Sequence, residues 1–152
     1  MKRVEKTSVF PASRGEVFRH LQRLSTLQEI AWPYATFTPV YTRDSAPGAS
    51  DHAVLSWDEG GTYAFRFRLF GCIPFGTHRI HVMRFREDGI LTHEGNENVP
   101  VWLHQICMEP LSYGRCLFTD RVTIDAGCKT VFVWIWACAI YAHRQRKWVR
   151  IL

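Results

Sequence analysis

The sequence predicts an α+β fold in which a curved antiparallel sheet of about seven strands wraps around a long C-terminal helix. Two observations lead to this class. Between Thr36 and Asp125 the apolar residues tend to recur at every second position, and short turns interrupt the pattern. The segment Val131–Ala142 then presents twelve apolar residues in a row before a basic end. A chain of 152 residues forms one domain by its length, so we expect a single unit over 1–152.

The N-terminal residues predict one strand and two short helices. Lys2–Phe10 is predicted as the first strand. Ser13 and Glu16 have the spacing of a capping box, in which a serine and a glutamate satisfy free backbone N–H groups at a helix start. Ser25 and Gln28 repeat this spacing and predict a second helix, which Pro33 would end.

The central residues predict an antiparallel meander. The alternation is clearest where Phe65 and Phe67 alternate with Arg66 and Arg68, as in a half-buried strand. Turns this short between strands permit hairpins, so we expect neighbouring strands to run antiparallel and the sheet to curve. The predicted strands after the two helices are 36–42, 52–58, 62–70, 77–86, 90–97, 101–109 and 115–125.

The C-terminal segment predicts a helix from about residue 129 that fills the concave face of the sheet. A membrane-spanning helix needs about 20 apolar residues, so the twelve of Val131–Ala142 are too few. A helix that is apolar nearly all round is expected to be buried on more than one side. Helical spacing predicts an inward face made of Val131, Trp134, Ile135, Cys138 and Tyr141.

Several segments resemble the SRPBCC superfamily, which includes START domains, polyketide cyclases and birch-pollen-allergen-like proteins. They are GTYAFRFRLFGCIPFGTHRIHV, VWLHQI, FTDRVTIDAG and YAHRQRKW, and the resemblance extends over the whole chain, to an uncharacterised bacterial branch. It implies a helix-grip fold and a hydrophobic cavity between the sheet and the long helix. Because one fold hosts both binding proteins and enzymes, the resemblance leaves the function open.

A hairpin around Pro110–Gly114 places two polar residues on the concave face. If Glu109 pairs with Arg115, then His104 lies opposite Asp120, between apolar pairs such as Trp102–Val122. A register slip of two residues would move His104 and Asp120 to a diagonal and keep both inside. This pair could satisfy its own buried charges, anchor a polar group of a ligand, or act as an acid/base pair.

The sequence therefore predicts a protein that binds a small hydrophobic ligand, such as a lipid, polyketide or quinone-like molecule. The alternative is a cyclase or dehydratase-like enzyme with His104 and Asp120 as its acid/base pair, although no nucleophile or metal cluster accompanies them. The predicted ligand-binding residues are Trp57, Phe65, Phe67, Trp102, His104, Phe118, Asp120, Trp134 and Tyr141.

The remaining histidines and cysteines give little indication of a metal or cofactor, and we expect neither. His78 and His81 are three residues apart, which places them on opposite faces of a strand, although His78 and Glu94 together could contribute to a mononuclear site. The five cysteines form no CxxC pair, as is usual for reduced thiols in a cytoplasmic protein, and no secretory signal is expected.

The formal net charge is +5, and several cations lie in the last helical turns, namely Arg144, Arg146, Lys147 and Arg150. Cations at a helix C-terminus complement its dipole. With Trp136 and Ile140 expected on the outer side of the helix, this end could also contact an anionic membrane surface or a second copy of the chain. We expect no nucleic-acid partner, because the rings and guanidinium groups of AFRFRLF alternate between opposite sheet faces.

Overall fold

The computed structural model describes residues 1–40 and 57–152. Within them, seven strands form one antiparallel sheet in the order β1-β7-β6-β5-β4-β3-β2, which confirms the predicted fold class. The predicted strand at 52–58 lies largely outside the described residues, and none of its described part is in a strand. The elements are β1 (Lys2–Phe10), α1 (Arg14–Leu21), α2 (Leu24–Ala31), β2 (Ala35–Pro39), β3 (Thr62–Leu69), β4 (Ile73–Arg86), β5 (Gly89–Gly95), β6 (Val101–Leu111), β7 (Arg115–Asp125), a 3-10 turn (Gly127–Lys129) and α3 (Thr130–Ile151).

The two short helices begin in different ways. Ser13 caps α1, since its hydroxyl accepts a hydrogen bond from the Glu16 amide at 3.3 Å, as the capping box predicts. The second predicted box is wrong, because α2 begins at Leu24, Ser25 lies inside the helix, and the N-cap residue makes no side-chain hydrogen bond. The buried Leu24 and Ile30 face the interior, so packing determines where this helix lies.

The β3–β4 turn is tighter than the glycines and the proline of this region indicate. Strand β4 begins at Ile73, and Pro74 pairs with Arg68 inside the ladder, whereas the sequence predicted a turn through residue 76. Gly71 makes the tight turn possible. Its φ is +74°, and a Cβ atom there would lie 2.9 Å from the Trp32 ring, so a side chain would be both strained and crowded.

The β6–β7 register differs by two residues from the predicted one. Leu111 pairs with Arg115, so the predicted pairing of Glu109 with Arg115 is wrong. His104 therefore lies opposite Val122, and Asp120 lies opposite Ile106. A shift of two keeps every side chain on its predicted face, because strand side chains alternate with period two.

The predicted register was wrong because it began the turn at Pro110, whereas Pro110 lies within the strand. The Met108 amide donates to the Asp88 carbonyl at 3.2 Å, on the β5 side of β6. Two residues further on, the missing N–H of Pro110 faces that same side, beyond Cys107, where the pairing with β5 ends. The β7 ladder loses no hydrogen bond, so a proline is tolerated.

Helix α3 lies along the sheet as predicted, but its inward face differs from the prediction. Val131 and Ile135 are 50% and 56% exposed, and Trp134 and Cys138 are half-buried, so only Tyr141 of the predicted inward face is buried. Because the first turns are apolar all round, their spacing does not distinguish one face from another. The buried residues of α3 are Thr130, Ala137, Ile140, Tyr141, Gln145 and Trp148.

Two apolar clusters form the core. One surrounds the N-terminal half of α3 and includes Trp102, Val122 and Tyr141. The other surrounds the C-terminal end of α3 and includes Phe118 and Trp148. None of the helices in the described part of the chain is both long enough and apolar enough to cross a membrane.

Candidate functional site

A cavity of about 480 Å³ lies between α3 and the concave face of the sheet. Its wall is mainly apolar and aromatic, and most of its polar side chains lie on β4, β5 and β6, with Arg144 on α3. This composition is typical of small-molecule sites, which use apolar area for affinity and a few polar groups for orientation. The polar and charged residues of the wall are His78, Thr92, Glu94, Asn96, His104, Lys129 and Arg144.

Most of the predicted ligand-binding residues lie in this wall, and three do not. Phe118 stacks on Phe10 with ring centroids 4.5 Å apart and belongs to the core beyond the cavity. Asp120 is buried and contacts His104 at 2.8 Å without lining the cavity. Trp134 turns towards β1, where its indole nitrogen donates to the Arg3 carbonyl at 3.0 Å. The predicted residues that line the cavity are Trp57, Phe65, Phe67, Trp102, His104 and Tyr141.

His104 is held between two carboxylates. Its Nε2 lies 2.8 Å from Asp120 Oδ1, and its Nδ1 lies 3.6 Å from Glu94 Oε1. Glu94 in turn accepts from Thr92 Oγ1 at 2.5 Å and contacts His78 Nε2 at 2.8 Å. Both ring nitrogens of His104 therefore face acceptors, as expected for an imidazolium.

The sheet register explains how these residues come together. Thr92 pairs with His104 across β5 and β6, and Glu94 pairs with Trp102. Side chains two residues apart on a strand share a face, so Glu94 reaches diagonally to His104. The sequence prediction did not connect Glu94 with His104. The alternation Ile90-Thr92-Glu94 indicates that the three residues share one face of the strand. The contact of Glu94 with His104 can be inferred only when the register of β5 against β6 is known.

Burial and hydrogen bonding act in opposite directions on the charges of this cluster. Burial disfavours the charged form of His104, yet the hydrogen bond to Asp120 and the nearby charge of Glu94 prevail and raise its pKa. Burial likewise opposes the ionisation of Glu94 and Asp120, but the contacts with His104, and for Glu94 also the one with His78, outweigh it and lower the pKa of both carboxyls. The arrangement favours two carboxylates around one imidazolium.

Gln145 connects this cluster to the N-terminal strand. Its Nε2 donates to Asp120 Oδ2 at 3.2 Å and to the Lys6 carbonyl at 2.7 Å, and its Oε1 accepts from Ser8 Oγ at 2.6 Å. The polar side chains His104, Asp120 and Gln145 thus form a layer across β6, β7 and α3, with one apolar cluster on each side. Every member has a hydrogen-bond partner, which buried polar groups require.

For two helix residues of the wall, Trp136 and Arg144, the interpretation from the sequence differs from what the structure shows. Trp136 was expected on the outer side of α3 together with Ile140, but both line the cavity. Arg144 was interpreted as one of several cations at a helix end. It lines the cavity, with its guanidinium carbon 4.8 Å from the Tyr141 ring centroid. Their orientation depends on the rotation of α3, which the apolar run leaves undetermined.

The arrangement can enclose an apolar molecule and contact its polar atoms. Within residues 1–40 and 57–152, no group of three or more His, Cys, Asp or Glu side chains is arranged to hold a metal ion. Burial raises the pKa of the Tyr141 phenol, so this side chain remains a neutral hydrogen-bonding group. The site therefore offers hydrogen bonds and charge inside an apolar enclosure.

Solved structures share this fold over nearly the whole chain. A protein from Chromobacterium violaceum, CV1439, superposes with a TM-score of 0.73 and 12% identity over 100% of this chain and 98% of its own. A START superfamily protein from Mycobacterium smegmatis gives a TM-score of 0.66 and 13% identity over 97% and 94%. The Aha1 dimer from Colwellia psychrerythraea gives a TM-score of 0.63 and 11% identity over 97% of this chain and 92% of its own.

At this identity the likeness shows the fold alone, and the chain has the START-like helix-grip fold that the sequence resemblance implied. No family model and no curated protein matches the chain. Any ligand must therefore be inferred from the residues of the cavity.

Proposed function

We propose that this protein binds a small hydrophobic molecule of the lipid, polyketide or quinone kind in the cavity beneath α3. The observation that carries the proposal is the cavity itself. Its volume of about 480 Å³ lies within the range of about 300–1,000 Å³ that small-molecule sites occupy, and aromatic side chains form much of its wall. A START-like fold supports small-molecule binding in general terms.

A matched pair of helix variants tests the proposal. Val133 lines the cavity, and Val133→Trp would fill part of it. Val149 lies on the same helix, is 44% exposed and does not line the cavity, so Val149→Trp is the control. Native mass spectrometry of protein purified from its own host should show a bound small molecule in wild type and Val149→Trp, and none in Val133→Trp.

The opposite result is also informative. If wild-type protein carries no molecule and its tryptophan fluorescence does not respond to any member of a panel of fatty acids, polyketides and quinones, the binding proposal is wrong. Trp57, Trp102 and Trp136 line the cavity, so an occupant would change their surroundings and hence their emission.

The enzymatic alternative has less support from the geometry. A general acid or base must reach the substrate proton within about 2.6–3.2 Å, directly or through one water. Both ring nitrogens of His104 face carboxylates, and Asp120 lies behind His104 relative to the cavity. The pair is placed to hold charge in the wall. Conversion of a bound ligand by wild type but not by His104→Ala, with affinity retained, would favour the enzyme instead.

Contact of α3 with a membrane surface or a second copy of the chain is a separate proposal. Its original basis, Trp136 and Ile140, lines the cavity, whereas Val131 and Ile135 do not line it and are 50% and 56% exposed. Exposed apolar residues of this kind are found at interaction sites. Sedimentation of wild type and Ile135→Ser, alone and with anionic vesicles, would separate dimerisation, membrane binding and neither.

A further inference from the structure

Arg144 is a cation in the cavity wall without an acceptor of its own. Among the described residues it forms no hydrogen bond and no ion pair, and its Nε is buried without a partner. Its guanidinium carbon lies 4.8 Å from the centroid of the Tyr141 ring. A guanidinium has five N–H donors, and leaving a buried donor unpaired is costly. This position would gain from an acceptor that the cavity admits.

Trp136 is a second donor without an acceptor on the same side of the helix. Its indole Nε1 is buried and has no hydrogen-bond partner within residues 1–40 and 57–152. Trp136 and Arg144 are eight residues apart, which separates them by about 12 Å along α3. Both line the cavity, so unpaired donors occur at two levels of its helical wall.

The carboxylates of the cluster, Glu94 and Asp120, are by contrast already engaged. Glu94 receives hydrogen bonds from Thr92 and contacts both His78 and His104. Asp120 accepts from His104 and Gln145 behind the wall. A ligand that donates hydrogen bonds would have to compete with these contacts. A ligand that accepts them would meet free donors.

The charges of the cluster indicate that the acceptor is neutral. Around Arg144, the carboxylates of Glu94 and Asp120 contribute two negative charges, and Arg144 and a protonated His104 contribute two positive charges. Lys129, a further cation of the wall, is exposed and its Nζ donates to Asn98 Oδ1 at 3.3 Å, outside this cluster. Arg144 also acts on Asp120 through its charge, although the two form no salt bridge. A carboxylate ligand would add a third negative charge to this balanced set at a buried position, and burial of excess charge is costly.

From these contacts we infer that the ligand is a hydrophobic molecule with a neutral carbonyl oxygen, a ketone, ester or quinone, which accepts a hydrogen bond from Arg144. The inference rests on the proposed function, because it specifies the polar group of the molecule that the cavity holds. Arg144 supplies the strongest free donor of the wall, since a hydrogen bond from a charged group is stronger than one between neutral groups.

An isosteric pair of probes isolates the carbonyl oxygen. 2-Nonanone and 2-methyl-1-nonene have the same shape and differ in having an oxygen or a CH₂ group at one position. Tryptophan fluorescence titration of wild type should show the ketone binding about tenfold more tightly than the alkene, as one hydrogen bond to a charged donor allows. In Arg144→Met the two probes should bind equally. Arg146→Met is the matched control, because Arg146 is exposed on the same helix and does not line the cavity.

The NMR signal of the Arg144 Nε–H group gives a readout on unaltered protein. It should shift when the ketone is added and stay in place with the alkene, even if Arg144→Met fails to fold. Equal binding of the two probes to wild type would overturn the carbonyl inference and leave ligand binding intact. Octanoic acid binding more tightly than the ketone would overturn it in favour of an anionic ligand. If 2-nonanone, 2-methyl-1-nonene and octanoic acid all fail to bind, the proposed function itself fails.

Discussion

His104 Nε2 and Asp120 Oδ1 lie 2.8 Å apart although the two residues are not opposite one another in the β6–β7 ladder. His104 faces Val122, and Asp120 faces Ile106, so the contact runs diagonally across one face of the sheet. Diagonal neighbours on a sheet face lie about 7–8 Å apart at Cα, which long side chains can bridge. The pair joins the cavity wall to the layer behind it.

Replacing Asp120 by asparagine should lower both the pKa of His104 and the stability of the protein. The pKa of His104 should fall, because the substitution removes the closer of its two carboxylates. The free energy of unfolding should fall by about 3 kcal/mol, as expected when one partner of a buried pair is removed. NMR titration of the imidazole and urea unfolding measure the two effects. Asp88→Asn, at an exposed ion pair, should change neither by a comparable amount.

If the pKa of His104 is the same in wild type and Asp120→Asn, the diagonal contact does not carry the charge interaction proposed for it. The Asp88 control excludes a general effect of removing one negative charge from the protein.

Glu94 provides a second, weaker test of the same cluster. Glu94→Gln should also lower the pKa of His104, but by less than Asp120→Asn, because Glu94 lies 3.6 Å from the ring and Asp120 lies 2.8 Å from it. Glu97 is exposed in the loop that follows β5, so Glu97→Gln is the matched control. A larger effect from Glu94→Gln than from Asp120→Asn, in the same titration, would show that Glu94 is the main partner.

The sequence predicted the fold more fully than the site, and the reason lies in periodicity. Alternation placed His104 and Asp120 on the concave face, and a register error of two residues left them there. In contrast, the apolar run of α3 has no polar side to determine its rotation, so Trp136 and Ile140 were placed on the outer side of the helix, and Arg144 was interpreted only as a cation near the helix end. The later residues Gln145 and Trp148, both buried, determine that rotation, but a polar glutamine within a basic segment looks like a surface residue.

The cavity wall also depends on contacts between strands that local patterns do not encode. Glu94 reaches His104 and His78 because β4, β5 and β6 are neighbours in the sheet. Each residue alone is compatible with a strand end or a surface position. The register that brings them together is determined by the turns and bulges of the whole sheet, such as the irregularity between Val82 and Arg84 in β4.

The stability of the protein should depend on pH in a way that these residues determine. His104 has a raised pKa in the folded state, so its contribution is complete below about pH 6.5 and is lost as the pH rises through the folded value. Glu94 and Asp120 have lowered pKa values, so their contribution is complete above about pH 4.5 and is lost as the pH falls through their folded values. Stability from this cluster should therefore be greatest between about pH 4.5 and 6.5.

Thermal unfolding across a pH series measures this dependence, and the difference between wild type and His104→Gln isolates the histidine. Wild type should lose stability as the pH rises above about 6.5, and His104→Gln should lose less, because it lacks the contribution of His104. A wild-type curve that runs parallel to that of His104→Gln above pH 6.5 would contradict the assignment.

Gln145 should stabilise the protein out of proportion to its size. Its amide makes three hydrogen bonds, to Asp120, the Lys6 carbonyl and Ser8, and so joins α3 to both β7 and β1. Gln145→Leu keeps a similar volume but removes all three bonds; Asp120 keeps its bond to His104, whereas an unsatisfied buried group costs about 1–3 kcal/mol. We expect a loss of about 3 kcal/mol or more in the free energy of unfolding, measured by urea denaturation. Arg146→Leu, at the adjacent exposed position, should cost less than about 0.5 kcal/mol. Equal effects of the two substitutions would mean that the polar layer contributes little to stability and that apolar packing alone holds α3 against the sheet.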